Sequence, residues 1–264
     1  MNLYLTLEYD KIYNKKKPGK IMKILLTNDD GIDAEGIQFL YEGLSAEHDI
    51  FLIAPDRERS ACSNIFTMRD ELLVTRHNEN SFSVSGYPAD CVSIGLHSDI
   101  IPEVDLVISG INHGPNLGDD IHFSGTVAGA RTAFIFGKPS IAVSINSFHA
   151  ASPFLVETVT FLNNFIKTEI IHKNVYLNIN YPNLPSSEIK GIKYTNLSKR
   201  IYKDTYIKYL KSDPDQFGLK LEGIIETENL PWNDSYALEN SFISITPMSI
   251  DSTDYNLLKK FQNR

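Results

Sequence analysis

Four short apolar runs, each ending in a polar tip, constrain this chain more than any other feature. Ile21-Met22-Lys23-Ile24-Leu25-Leu26 runs into Thr27-Asn28-Asp29-Asp30-Gly31, and Leu52-Ile53-Ala54-Pro55 into Asp56-Arg57-Glu58-Arg59-Ser60. Leu106-Val107-Ile108-Ser109-Gly110 leads to Ile111-Asn112-His113-Gly114, and Ile141-Ala142-Val143-Ser144 to Ile145-Asn146. Runs this short and β-branched read as strands. The stretches between them carry apolar residues at helical spacing, as at Ala34, Ile37, Phe39, Leu40 and Leu44. Such alternation predicts an α/β fold, a mostly parallel sheet with helices on both faces. Strands are expected near 22–27, 49–54, 105–110, 139–145 and 175–180, and helices over 34–46, 88–98, 124–137 and 153–168. Right-handed crossovers gather the tips on one edge of the sheet, where ligands of open α/β sheets bind.

Two segments break the alternation. Residues 66–86 pattern as a hairpin, with Leu72 and Val74 facing Phe82 and Val84 across Asn78-Glu79-Asn80. From about 182 onward Pro, Asn and Ser become frequent, and strand-like pieces (Ile189–Tyr194, Leu219–Ile225, Phe242–Thr246) precede a closing helix at Thr253–Phe261. The expected organisation is a core over 22–182 followed by a β-rich arm over 183–264. Residues 1–21 place Lys15-Lys16-Lys17-Pro18-Gly19-Lys20 after their apolar letters and lack a signal-like apolar stretch. They are expected to be a disordered extension, or to follow from a start upstream of Met22 that is not used.

The 264 residues, 42% of them hydrophobic, suffice for one large core or a core with a smaller lobe. No apolar run approaches the roughly 18 residues of a membrane span. Cys62 and Cys91 have no Cys or His partner at metal-ligand spacing, which fits a reducing compartment and predicts a cytoplasmic protein. A net charge of −8 argues against a nucleic-acid polymer as partner, since backbone affinity comes from Lys and Arg.

Asp29 and Asp30 admit two readings. Either they cap and turn the chain before the helix at 34, or they hold a hard divalent cation. In the second case Ser60 and Asn112, also at strand tips, are candidates to complete the shell. Oxygen-only ligation favours Mg²⁺, Mn²⁺ or Ca²⁺ over zinc. The stretch 110–120 holds three glycines and two asparagines, a density that suits either an ordinary loop or one whose amides turn toward an anion. Ser124-Gly125-Thr126 directly before the apolar helix Val127–Phe136 adds a cap and a phosphate seat, two roles that are compatible. His113 and His122 flank that loop as inert residues or as a general acid. Arg57 and Arg59 pair with acidic neighbours or meet a substrate phosphate. Tyr202, Tyr206, Tyr209, Phe217, Trp232 and Tyr236 pack the arm, or one of them stacks a base.

Taken in order, Asn28-Asp29-Asp30-Gly31, Ala54-Pro55-Asp56-Arg57 with Ser60, Ser109-Gly110-Ile111-Asn112, Gly114-Pro115-Asn116-Leu117-Gly118-Asp119-Asp120 and Ser124-Gly125-Thr126-Val127 resemble the SurE family of nucleotide phosphatases. The resemblance continues through Pro88-Ala89-Asp90-Cys91-Val92, Asn178-Ile179-Asn180-Tyr181-Pro182, Gly191-Ile192-Lys193 and Ser244-Ile245-Thr246-Pro247, covering roughly 22–250. It implies a Rossmann-like core and a metal-dependent phosphomonoesterase, a 5′-nucleotidase that releases nucleoside and phosphate from nucleoside monophosphates, with 3′-monophosphates as further candidates. It also implies one Mg²⁺ or Mn²⁺ per subunit on Asp29, Asp30, Ser60 and Asn112, with Asp29 activating water or attacking directly and Asp30 beside it. Asn116, Ser124, Gly125 and Thr126 would hold the phosphate, and an exchanged C-terminal arm would make a homodimer, with a tetramer as the further option.

Some positions depart from the family pattern: Tyr87, Ala89, His122-Phe123 and Arg131, with 200–235 the least similar region. Base preference is what these differences leave open. Two other classes compete with this reading. A receiver-like phospho-acceptor domain needs a Lys where this chain has Ser144-Ile145-Asn146 and is about half the length. A non-catalytic nucleotide-binding module has no need of an open cation site such as Asp29, Asp30 and Asn112 offer.

Overall fold

The computed structural model describes residues 20–147, 152–168, 171, 174–213 and 215–262, so residues 1–19 of the expected N-terminal extension lie outside the described residues. The strands are β1 (Lys23–Thr27), β2 (Asp49–Pro55), β3 (Val74–Asn78), β4 (Ser81–Val84), β5 (Leu106–His113), β6 (Ser140–Ile145), β7 (Tyr176–Tyr181), β8 (Ile192–Tyr194), β9 (Arg200–Leu210), β10 (Phe217–Thr227) and β11 (Ile243–Pro247). The α-helices are α1 (Glu35–Ser45), α2 (Pro88–His97), α3 (Gly125–Ile135), α4 (Ser152–Phe165), α5 (Asp234–Glu239) and α6 (Tyr255–Gln262).

Nine strands form one sheet in the order β3-β4-β2-β1-β5-β6-β7-β11-β8. The run from β4 to β7 is parallel throughout. From β1 the chain winds outward through β2 to β4, then returns to the other side of β1 to begin β5, so the winding reverses between β1 and β5. That reversal opens a crevice at the strand ends, the place where ligands of such sheets bind. Register aligns the tips: Leu26 pairs with Leu52, and Thr27 with Ser109.

Alternate residues of β1 serve the two faces, as the period of a strand requires. Ile24 and Leu26 join Ile37 and Leu40 of α1 and Leu155 and Phe161 of α4 in one core. Leu25 joins Cys91 and Val92 of α2 and Ala133 of α3 in the other. Both faces are therefore covered by helices, and the strands read as continuous apolar runs for that reason. Among the described residues no helix is long and apolar enough to cross a membrane.

Three elements differ from expectation. β5 does not stop at Gly110 but runs to His113, through a register shift against β6 between Ser109 and Asn112. Gly110 has φ +137° there, and a Cβ would lie 2.2 Å from the Val143 carbonyl oxygen, so only glycine lets the strand continue. The 66–86 segment makes an antiparallel hairpin only over β3 and β4. From 183 on the chain divides: β8 and β11 extend the main sheet beyond β7, while β9 and β10 pair only with each other. The boundary at 182 thus falls between neighbours within one sheet, and the hairpin and α6 stand apart from it, exposed along almost their whole length.

Candidate active site

Asn28 closes the turn after β1 by itself. Its Nδ2 donates to the Gly31 carbonyl at 2.8 Å and its Oδ1 accepts from the Gly31 N–H at 3.2 Å. The cap position of α1 is Ala34, without a side-chain cap bond. The capping reading of the acidic pair is therefore corrected: the turn has its Asx bonds from Asn28, and Asp29 and Asp30 are left to the pocket that both line.

Asp29 is 4% exposed. It accepts a hydrogen bond from the Thr126 hydroxyl. Burial pushes its carboxyl above the ordinary range, opposed by that hydroxyl and by the amides of Thr126 and Gly125 at the start of α3. Asp30 is pushed up to about 7 by burial first, then by repulsion from Asp29 and from Glu58. Its Oδ2 is buried without a hydrogen-bond partner. Two buried carboxylates, the second raised by burial and by the first and left with an orphaned oxygen, form a site that a cation would relieve.

The other two expected ligands stand on the same walls. Ser60 Oγ donates to Glu58 Oε1 at 2.7 Å, which leaves its lone pairs as acceptors toward a cation. Asn112 commits its Nδ2 to the Gly114 carbonyl at 2.7 Å. Among the described residues no group of three or more His, Cys, Asp and Glu side chains gathers as a metal site, so the donor set is two carboxylates with neutral oxygens. That set fits a hard divalent cation.

The pocket, of about 290 Å³, is walled by these four residues and by Ala61, His113, Gly114, Pro115, Asn116, Asp120, Phe123 and Ser124. Ser124 caps α3, accepting from the Val127 N–H at 3.0 Å. Gly125 follows where a Cβ would lie 2.7 Å from Asp29 Oδ2 and 2.6 Å from Cys62 Sγ, so the helix start approaches the carboxylate as only glycine allows. Thr126 is fully buried with its hydroxyl on Asp29. Asn116 also reaches the pocket wall, with its Nδ2 bound to Ser144 Oγ at 2.8 Å.

Of the remaining candidates, His113 lines the pocket, whereas His122, Arg57 and Arg59 do not. Arg59 instead bonds the Ser85 carbonyl and lies 4.9 Å over the Tyr87 ring, bracing the entry to α2. Arg57 pairs with Asp56 at 4.0 Å in solvent.

Several supporting residues carried no local signal. Asn180 of β7 accepts from the Asn116 N–H at 2.8 Å and donates to its carbonyl at 3.0 Å, and Asn178 donates to the same carbonyl at 2.8 Å. Asp234 of α5 accepts from the amides of Gly118 at 2.8 Å and Ser198 at 2.9 Å, tying the pocket loop to the base of the hairpin. The repeated Asn in Asn178-Ile179-Asn180 is the one sequence cue, since alternate strand residues share a face.

Fold and site together define a doubly wound α/β protein whose acidic pocket sits at the switch point, against the N-terminus of a helix. A model of the family described as "Survival protein SurE" matches residues 24–204. The 5′-nucleotidase SurE of Geotalea uraniireducens is 39% identical over 90% of this chain and 96% of that protein, and that of Desulfitobacterium hafniense is 40% identical over 91% and 96%. The crystal structure of the SurE protein from Aquifex aeolicus superposes with a TM-score of 0.76 at 36% identity, covering 91% of this chain and 98% of that one. The chain belongs to the SurE family.

Replacing Asn180 with Ala leaves the buried Asn116 N–H unpaired and is expected to lower unfolding stability by about 1–3 kcal/mol. Urea denaturation of the variant beside the parent protein measures it; unchanged stability would show that the loop is held by other bonds.

Proposed function

We propose that this chain hydrolyses nucleoside 5′-monophosphates to nucleoside and phosphate at a divalent-cation site formed by Asp29, Asp30, Ser60 and Asn112, with 3′-monophosphates as further substrates. The observation that carries the reading is the buried acidic pair with the orphaned Asp30 Oδ2, set against the N-terminus of α3. What a bound Mg²⁺ or Mn²⁺ supplies there is neutralisation of phosphoryl charge and polarisation of the P–O bond. The relatives' names, 5′-nucleotidase SurE, support the same chemistry.

The chain's own groups divide the work. The positive end of the α3 dipole and the Ser124 hydroxyl favour a phosphate there, while the Thr126 hydroxyl stays on Asp29 beside it. Asn116 holds the facing loop in place through its buried bonds to Ser144, Asn178 and Asn180. Asp29, oriented by the Thr126 hydroxyl, takes the proton of the attacking water or attacks phosphorus itself. Asp30 supplies the second ligand charge. The charge on the equatorial phosphoryl oxygens is met by preorganised donors, the contribution that dominates phosphoryl transfer.

Assembly follows from the hairpin. β9 and β10 carry Ile201, Tyr206, Leu210, Phe217, Leu219 and Ile224 exposed, and α6 exposes Tyr255, Leu257 and Phe261. Apolar surface on this scale calls for a cover. A second copy of the chain that exchanges the arm supplies it at low cost in a two-fold dimer. Light scattering is expected to give about twice the 29.8 kDa of one chain; an active monomer would refute the exchange.

Phosphate release from nucleoside 5′- and 3′-monophosphates, with and without chelator, tests the activity. Release is expected to vanish in chelator and return with Mg²⁺ or Mn²⁺, and Asp29→Asn is expected to lower kcat by roughly two to four orders of magnitude in a folded protein. Full turnover in excess chelator, or near-normal kcat in the variant, would contradict the proposal.

A further inference from the structure

We infer that the Phe123 ring, buttressed by Tyr202, is the platform on which the base of the bound nucleotide stacks, which makes Phe123 a specificity-determining residue; the inference rests on the phosphatase reading only for the position of the phosphate. Phe123 stands on the pocket wall and immediately precedes Ser124, the residue that caps α3. The Cα atoms of Phe123 and Ser124 are one chain step, about 3.8 Å, apart, so the ring is carried by the residue adjoining the proposed phosphate seat and lines the same pocket. A nucleoside monophosphate carries its base one sugar away from phosphorus, so the base projects over the same rim.

Phe123 is 57% exposed, while its apolar neighbours Leu117 and Ile121 on the same loop are buried. Core packing therefore does not account for the ring. Its backbone is held nonetheless: its N–H donates to the Asp120 carbonyl at 3.0 Å and its carbonyl accepts from the Ser63 N–H at 2.9 Å. Tyr202 meets it nearly perpendicular, at 85° with ring centroids 6.2 Å apart. The Tyr202 hydroxyl is itself fixed on Asp120 Oδ1 at 2.7 Å, and Asp120 is paired with Arg200 at 2.7 Å. An exposed aromatic face, pinned by its backbone and by an edge contact, is preorganised to receive a flat apolar ligand with little entropy left to lose.

Stacking is tolerant of base identity because every base presents a π-face. The site then prefers purines to pyrimidines by overlap area and accepts all four bases. It also discriminates strongly against the same sugar phosphate without a base.

The test uses the full chain with Phe123→Ala and Phe123→Tyr. Calorimetric titration with adenosine and with ribose reads the platform without hydrolysis, and kcat and KM for 5′-AMP and ribose 5-phosphate read it in turnover. Phe123→Ala is expected to weaken adenosine binding and raise KM for 5′-AMP roughly five- to hundredfold, with kcat and all ribose 5-phosphate constants unchanged and with Phe123→Tyr close to the parent. Equal losses on 5′-AMP and ribose 5-phosphate would overturn the inference by making the ring a loop support. Unchanged adenosine binding would overturn it too, and a concurrent shift to monomer would reassign the ring to a subunit interface. Absence of phosphate release from every substrate, with adenosine still bound through Phe123, would refute the phosphatase reading and leave the platform standing.

Discussion

Withdrawing two adjacent carboxylates from water at the end of one strand is the constraint on which the rest of this structure depends. A buried charge is costly unless it is paired. Asp29 receives the Thr126 hydroxyl and the first amides of α3; Asp30 keeps an oxygen without a partner and a proton affinity raised by burial first and then by its neighbour. The fold places this pair between β1 and β5, where the winding of the sheet reverses. Ser60 and Asn112 line the same pocket, and their neutral oxygens with the two carboxylates are the donor set that the proposed divalent cation would take.

Close approach explains the glycines around the site. Gly125 admits the start of α3 against Asp29, and Gly36 admits α1 against β5, where a Cβ would lie 2.1 Å from the Ile111 carbonyl oxygen. The asparagines do the complementary work. Asn28 closes the β1 turn, and Asn178 and Asn180 hold Asn116 from two strands away. Asp234, Asp119 and Asp120 then lash the loop to the hairpin base through Ser198, Lys199 and Arg200. Pocket geometry and arm placement are thereby joined in one hydrogen-bonded unit.

Local pattern carried the central sheet well, because β1, β2, β5 and β6 are short apolar runs followed by polar tips and α1 shows a helical spacing of its apolar residues. It also brought Asp29, Asp30, Ser60 and Asn112 together by their common position at tips. What it left undecided was whether the acidic pair capped a helix, since Asn28 can take the turn only in three dimensions. The end of β5 was misplaced because Gly110 reads as punctuation, whereas its positive φ carries the strand onward. α5, six residues long, is too short to show a period. β9 places apolar residues on both faces and so lacks the alternation of a half-buried strand; its exposure is the physical counterpart of that pattern. Asn180 could not be assigned its role at all, because its partner lies 64 positions away in the chain.

The central claim is that the Asp29–Asp30 pair is built for a divalent cation. Calorimetric titration of Mn²⁺ into protein dialysed against chelator and then metal-free buffer tests it most directly, beside the Asp29→Asn, Asp30→Asn double variant. The account predicts one saturable site per chain in the parent protein and none in the folded variant. Equal binding by both proteins, or no binding by the parent, would contradict it.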